Sequence, residues 1–553
     1  MDTMSKTTKK SSANKKEIVF EEALWDAANK LRGSVESAEY KHIVLSLIFL
    51  KFISDKFEAQ REKLKAESMG DYVDMVEFYT KDNVFYLPEE ARWSTVQKQA
   101  KQDDIAVKID TALHTVEKTN PSLKGALPDN YFSRLSLDVS KLAALIDTIN
   151  NIKTVANECD MSEEDLVGRV YEYFLGKFAA NEGKGGGEFY TPKSVVTLIS
   201  DMLEPYKGKI YDPCCGSGGM FVQSLKFIDS HKGNRKDISI YGQEYTNTTY
   251  KLAKMNLAVR GISANLGDIA ADTFFKDQHP DLKADYIMAN PPFNQKQWRA
   301  DNELTDDPRW AGFEVPPTGN ANYAWIMLMI SKLSEHGTAG FVLANGSMSS
   351  STSGEGAIRQ KIIENDLVDC MIALPGQLFY TTQIPVCLWF ISKNKREDKA
   401  RGYRNRQGET LFIDAREMGS MISRVHKELT ADDIAKIANT YHAWRQDKQF
   451  IEQALAEQLD DTPTQELLQE HKQLNAYEDV AGFCKSATLD EIKANDYVLT
   501  PGRYVGAAAI EDDGVPFEVK MRELSQTLLS QMDESERLDN AIRQNLAELG
   551  YGE

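Results

Sequence analysis

Asn290-Pro291-Pro292-Phe293 directly follows Asp285-Tyr286-Ile287-Met288-Ala289, a run that reads as a buried strand. Two successive prolines fix φ and remove two backbone donors. The Pro291 carbonyl is then free to accept a hydrogen bond, and the Asn290 side chain offers an amide oxygen. Two acceptors aimed at one –NH2 group hold it and raise the electron density on its nitrogen. The ring of Phe293 supplies a face on which a flat base can stack. With a sulfonium as methyl donor, no strong general base is needed first. Catalysis is then mainly alignment of the nitrogen lone pair with the methyl group, plus stabilisation of developing positive charge. A rigid Pro-Pro turn would look the same alone, so the neighbouring motifs decide.

Upstream lies Tyr211-Asp212-Pro213-Cys214-Cys215-Gly216-Ser217-Gly218-Gly219-Met220-Phe221, after a predicted strand and before a predicted helix. Glycines let the backbone turn tightly and pass close to a ligand. The run matches neither G-x-x-x-x-G-K-[ST] nor G-x-G-x-x-G, so it is not a phosphate loop or a dinucleotide fingerprint. Glu244 ends the next predicted strand, where an acid can accept both hydroxyls of a ribose. Asp268, in Gly267-Asp268-Ile269, is another strand-end acid that can bond an adenine amino group; a capping Asp would look alike. Gly187-Glu188-Phe189-Tyr190-Thr191-Pro192 follows Gly183-Lys184-Gly185-Gly186. It can close over the methionine part of a cofactor, or simply link to a helix starting at Thr191-Pro192.

These motifs need a frame. From about Asp160, short β-rich runs alternate with helical stretches. Lys209–Tyr211, Ser239–Gly242, Ala284–Ala289, Gly340–Ala344, Cys370–Leu374 and Cys387–Ser392 read as strands; Thr248–Val259 and Asn322–Leu333 read as helices. That alternation predicts an α/β domain over 158–420, a mostly parallel sheet with helices on both faces. Residues 17–157 read as a helical N-terminal domain, including His42 to Phe57, and 421–553 as a helical C-terminal region with long charged helices at Ala431–Leu459 and Lys520–Leu549. Residues 1–16 form a basic Ser/Thr/Lys tail expected to be disordered.

The formal net charge of −19 argues against a chain that wraps DNA unaided. A DNA substrate then requires a local basic surface or a partner that supplies one. The longest apolar run, Ile43 to Ile53, is interrupted by Ser46 and Lys51 and is too short to span a bilayer. A polar N-terminus with no apolar region behind it predicts cytoplasmic residence. Cys159, Cys214, Cys215, Cys370, Cys387 and Cys484 include no C-x-x-C, so reduced thiols and no metal site are expected.

With these residues in view, the chain resembles the modification (methyltransferase) subunits of type I restriction–modification systems, N6-adenine DNA methyltransferases. The order of cofactor loop, Gly-rich turn and Asn-Pro-Pro-Phe carries the resemblance, which covers most of the chain. It implies a class I (Rossmann-like) S-adenosyl-L-methionine-dependent fold. It also implies that Gly187, Glu188, Phe189, Tyr190, Thr191 and Pro192 contact the cofactor. Asp212, Ser217, Gly218 and Gly219 would line its methionine portion, Glu244 would hold the ribose, and Asp268 the adenine ring region. Asn290, Pro291, Pro292 and Phe293 would hold the target adenine. Pro375 to Pro385 also looks like this family; its aromatics either help hold the extruded base or pack beneath a loop. Asn345-Gly346-Ser347 is expected to border the base pocket. The implied partners are DNA, a specificity subunit, with two copies of this chain for each, and a restriction subunit in the full complex. Two other readings stand beside this one, a protein glutamine amide as methyl acceptor and a catalytically silent assembly subunit. Cytosine N4 is a chemically close acceptor.

Overall fold

Near-continuous apolar runs such as Val386–Ser392 and Val368–Ala373 are buried along their whole length, as strands covered on both faces must be. The computed structural model describes residues 22–29, 37–82, 84–151, 170, 173–174, 191–231, 233–379, 383–456, 462–507 and 517–548. The expected basic tail, Cys159, and Gly183 to Tyr190 lie outside these. The chain divides into two compact units, 1–505 and 506–553.

The larger unit holds β1 (Gly208–Asp212), β2 (Ile238–Gly242), β3 (Ala264–Asn265), β4 (Ala284–Ala289), β5 (Leu333–Ala344), β6 (Val368–Ala373), β7 (Val386–Ser392) and β8 (Glu409–Asp414). A short hairpin, β9 (Ser420–Met421) and β10 (Lys427–Glu428), follows, and then β11 (Cys484–Thr488). Nine strands form one sheet in the order β11-β8-β6-β7-β5-β4-β1-β2-β3. Strands β3, β2, β1, β4 and β5 pair in parallel, and β7 inserts antiparallel between β5 and β6. The mostly parallel α/β class is therefore as expected.

Before the sheet come α1 (Ser37–Ala66), α2 (Ile105–Thr119) and α3 (Val139–Asn150). The side chain of Asp138 caps α3 by accepting from the Lys141 N–H. The run Ile43 to Ile53 lies buried in α1, where Lys51 pairs with Asp55 one turn on. Among the described residues, no helix is long and apolar enough to cross a membrane. The sheet is flanked by α4 (Lys193–Leu203), α5 (Gly219–Ser230), α6 (Asn247–Val259), α7 (Asn322–Lys332) and α8 (Glu355–Glu364). Residues alternate between two cores. Tyr286, Met288 and Ile372 join one with α4, α5 and α6; Ile287, Ala289 and Met371 join the other with α7 and α8. The outer face of α6, through Leu252, Met255 and Val259, packs into the core of the N-terminal helices.

Two expectations change. The predicted helix Ala431–Leu459 breaks at Gln446–Asp447 into α9 (Ala431–Arg445) and α10 (Lys448–Ala456), followed by α11 (Thr462–Lys472). The stretch expected to be a helical C-terminal region also contributes β11, which pairs antiparallel with β8 at the sheet edge. The short Cys484–Thr488 shows little alternation, and its partner β8 supplies the ladder. The second unit contains α12 (Phe517–Glu548).

Candidate active site

The direction of connection reverses at β1: β2 lies on one side of it and β4 on the other. In such sheets ligands bind beyond the carboxyl ends of the strands at this switch point. The Gly-rich turn leaves the end of β1, and Asn-Pro-Pro-Phe leaves the end of β4. Tyr211 pairs with Ile287, so Asp212 and Asn290 leave adjacent strands at one edge.

The turn is held by its backbone. The Gln243 N–H donates to the Asp212 carbonyl at 3.0 Å, and the Cys215 N–H to the Gln243 carbonyl at 2.9 Å. Gly218 adopts φ +80° and caps α5, a conformation that favours glycine. At the end of β2, a Cβ on Gly242 would lie 2.8 Å from Leu266 and 3.0 Å from Phe221, so any side chain there would have to displace both. The Glu244 carboxylate accepts from the Gly216 N–H at 3.1 Å and from the Thr246 N–H at 2.7 Å. Asn256, a polar residue on the buried stripe of α6, donates to the Ser217 carbonyl at 2.7 Å.

One cleft brings together Thr191, Asp212, Ser217, Gly219 and Asn290. Pro192 caps α4, its carbonyl accepting from the Val195 and Val196 N–H groups at 3.0 and 3.1 Å. Gly187, Glu188, Phe189 and Tyr190 lie outside the described residues. Neither Glu244 nor Asp268 lines this cleft; Asp268 is exposed and its N–H donates to Gln278 at 3.2 Å. Burial pushes the Asp212 carboxyl up to about 7, with nearby Glu244 adding to the rise and the Cys214 N–H opposing it. Burial likewise pushes the Cys214 and Cys215 thiols well up, which keeps them protonated.

Both polar atoms of the Asn290 amide are buried with no hydrogen-bond partner. Pro291 is buried, and Phe293 is half-buried, its ring edge-on to Phe379 at 5.5 Å between centroids. Phe379 belongs to the Pro375–Pro385 loop; its other aromatic, Tyr380, is outside the described residues. Asn345, just past β5, also buries an amide oxygen without a partner.

The loop leaving this motif is clamped by residues that the sequence reading did not single out. Asn294 adopts φ +50°. Its N–H donates to Asn322 Oδ1 at 3.2 Å, and its own Oδ1 accepts from Asn322 at 3.0 Å and Asn320 at 3.2 Å. The signal was Asn320-Ala321-Asn322 at the start of a predicted helix.

Away from the cleft, Glu204, His442 and His471 form the one group of potential metal-ligating side chains found among the described residues. Their atoms are already engaged. Gln446 donates to Nδ1 of His471, whose Nε2 donates to Glu204 at 2.7 Å. Arg445 donates both to Glu204 at 2.8 Å and to Nδ1 of His442 at 2.9 Å. His442 Nε2 donates to the Asp201 carbonyl at 2.9 Å. The ligand atoms of Glu204, His442 and His471 are therefore already taken up in a hydrogen-bond network around a buried ion pair, in which Arg445 Nε and Gln446 Oε1 stay buried without a partner.

Comparison with known proteins agrees with this geometry. Residues 162–513 match the N-6 DNA Methylase family and residues 20–149 the HsdM N-terminal domain. The chain is 48% identical over 482 residues to the type I restriction enzyme HindI methylase subunit of Haemophilus influenzae, covering 84% of this chain and 100% of that one. It is 39% identical to the MjaIX methylase subunit of Methanocaldococcus jannaschii, over 96% of this chain and 92% of that one. The crystal structure of a type I restriction–modification methyltransferase subunit from Streptococcus thermophilus shares the fold, with a TM-score of 0.67 at 22% identity, covering 88% and 99% of the two chains. The chain belongs to the N-6 DNA methylases, as a methylase subunit of the type I restriction–modification kind.

Proposed function

We propose that this cleft transfers a methyl group from S-adenosyl-L-methionine to N6 of an adenine extruded from duplex DNA, with Asn290 and Pro291 holding the amino group. The carrying observation is the Asn290 amide, buried with both polar atoms unpartnered. An unmade buried hydrogen bond costs about 1–3 kcal/mol, so such a group is expected to find its partner in a ligand.

The residues present fit the cofactor. Asp212 offers a buried carboxylate to its amino group, and the Gly216–Gly219 turn offers backbone close to its methionine portion. Glu244, at the end of β2, is placed to accept from the ribose hydroxyls. The cofactor supplies an electrophilic methyl group. Asn290 Oδ1 and the Pro291 carbonyl accept from the adenine amino group, which orients its lone pair and stabilises the charge that develops on it. Phe293, held by Phe379, stacks on the base. The proton lost from nitrogen leaves to solvent. Extrusion of the base costs a few kcal/mol, offset by these contacts. The relatives' kind favours this acceptor over a protein amide, and the Asn290 amide favours turnover over a silent role.

Site choice and the bulk of phosphate contact belong to a specificity subunit, with two copies of this chain for each, and cleavage to a restriction subunit. The net charge of −19 supports that division. In α12, Met521, Leu524, Leu528, Met532, Leu538 and Ile542 are exposed at mostly three- and four-residue spacing, the stripe of a helix that packs on a partner. Truncation at Ser420 would remove β11 from the sheet; truncation after Val505 removes the second unit alone. The latter variant is expected to lose the specificity subunit on co-purification, and full-strength retention would sink the docking role.

The primary test is labelled methyl transfer to unmethylated DNA, with and without the specificity subunit, followed by nucleoside analysis. N6-methyladenine is expected with the partner. Asn290→Ala is expected to bind cofactor normally but lose about 10²–10³ in kcat, the scale for losing one transition-state hydrogen bond. Persisting methylation would remove Asn290 from its role.

A further inference from the structure

Strand β8 runs parallel to β6, and β6 and β5 both run antiparallel to β7, so β8 delivers its chain to the same sheet edge as β1 and β4. From there the chain forms the β9–β10 hairpin. Met421 pairs with Lys427 and Ser420 with Glu428. The tip is closed by the Ile422 N–H on the His426 carbonyl at 2.9 Å and by the His426 N–H on Ser423 Oγ at 3.1 Å.

Two features of this hairpin are unusual. Its tip exposes Met421 (50%), Ile422 (56%) and Val425 (48%), interleaved with Arg424, His426 and Lys427 in a chain that is strongly acidic overall. The hairpin is also coupled to the base site: the Lys427 N–H donates to the Gln377 carbonyl at 3.0 Å. Gln377 lies in the Pro375–Pro385 loop, whose Phe379 meets Phe293. That loop adds Ile384, 53% exposed. An apolar tip flanked by cations, fixed beside a pocket for a flipped base, has the chemistry of a wedge that unstacks a duplex while its cations meet phosphates.

We propose that the Ser420–Glu428 hairpin enters the DNA duplex beside the target adenine and holds open the gap left by its extrusion, with Ile422 and Val425 against the bases and Arg424 on the backbone. The proposal rests on duplex DNA as the substrate. Its consequence is selective: the wedge matters when a base pair must be broken and not when the adenine is already unpaired.

The test uses the chain assembled with its specificity subunit. The duplexes carry the site at which that complex deposits N6-methyladenine, with the target either paired or opposite an abasic position. The double variant Ile422→Ser/Val425→Ser is expected to methylate the paired duplex about tenfold more slowly, a modest share of the cost of unstacking. It should approach the wild-type rate on the unpaired one, with cofactor affinity unchanged. A wild-type rate on the paired duplex, or an equal fall on both, overturns the wedge. Loss of the specificity subunit from the variant also overturns it and makes the hairpin a subunit contact. Absence of turnover by the wild-type complex on the paired duplex would overturn the substrate itself, a failure visible before any variant is read.

Discussion

The Gly216 N–H donates to the Glu244 carboxylate at 3.1 Å, which ties the turn after β1 to the end of β2. The other carboxylate oxygen accepts from the Thr246 N–H at 2.7 Å, just before α6 begins. A single side chain therefore links the two loops. A carboxylate acceptor strengthens both bonds over a neutral one.

Glu244→Ala is expected to weaken cofactor binding about 10- to 100-fold, from the roughly 1.5–3 kcal/mol of hydrogen bonding to a charged group. Loss of the Gly216 and Thr246 bonds should also lower the unfolding temperature, so affinity is read well below it. Isothermal titration reads the affinity. An unchanged Kd would mean that the ribose is held elsewhere.

With Asp212 in its proposed contact to the cofactor's amino group, binding is expected to depend on pH. Burial raises its carboxyl to about 7, so it is ionised above that pH and protonated below it. A cationic amino group binds the ionised form. Affinity is therefore full above about pH 7 and falls by up to about tenfold per unit below it. Asp212→Asn should bind more weakly at pH 8 with a flat profile. Stability of the cofactor-free chain runs the other way. The folded carboxyl holds its proton above the unfolded value, so its contribution is fully present below about pH 4 and lost as pH rises through 7. Parallel affinity profiles for the wild type and Asp212→Asn would remove Asp212 from the amino-group contact.

Much of this was legible in the sequence because its signals are local. Ala284–Ala289 and Val386–Ser392 announce buried strands by apolar runs, and Asp212, Glu244 and Asn290 stand at strand ends where a doubly wound sheet collects ligands. What was hidden depends on contacts distant in sequence. Cys484–Thr488 becomes a strand only because β8 offers an edge. The break of the predicted helix at Gln446 follows from Gln446 and Arg445 turning onto His471 and Glu204. Asp268 follows a two-residue strand and lies exposed, and neither it nor Glu244 lines the cleft that holds Asp212 and Asn290.

Asn322 is the clearest residue whose value appears only in three dimensions. Its amide both accepts from and donates to Asn294, the residue after Phe293. Asn322→Leu keeps the branched heavy-atom skeleton, at some cost in bulk, and removes both bonds. About 1 kcal/mol of stability should be lost. A catalytic loop displaced even slightly from its productive geometry should lower kcat about ten- to a hundredfold, with cofactor affinity unchanged. Single-turnover methylation beside equilibrium cofactor binding separates the two; an unaltered rate would show that the Pro-Pro backbone needs no external clamp.

The network around Glu204 joins α4 to α9 and α11, and α4 begins directly after Pro192. Burial alone would raise Glu204, but His442, His471 and Arg445 reverse the sign and hold it below the ordinary carboxylate range. Its contribution is present above about pH 4.5 and lost as pH falls further. Burial pushes His442 down to about 3, against the pull of Glu204. The unfolded chain takes up that proton near pH 6.5 and the folded chain does not, so stability declines as pH drops from 6.5 towards 3. Both groups make the fold acid-sensitive at the same junction. His442→Gln should flatten the decline between pH 6.5 and 5 in urea unfolding. Arg445→Met, which strands the buried carboxylate, should cost about 3–5 kcal/mol at neutral pH. If His442→Gln tracked the wild-type profile throughout, the acid sensitivity would have to originate outside this junction, and the seam between α4 and the later helices would be held by packing alone.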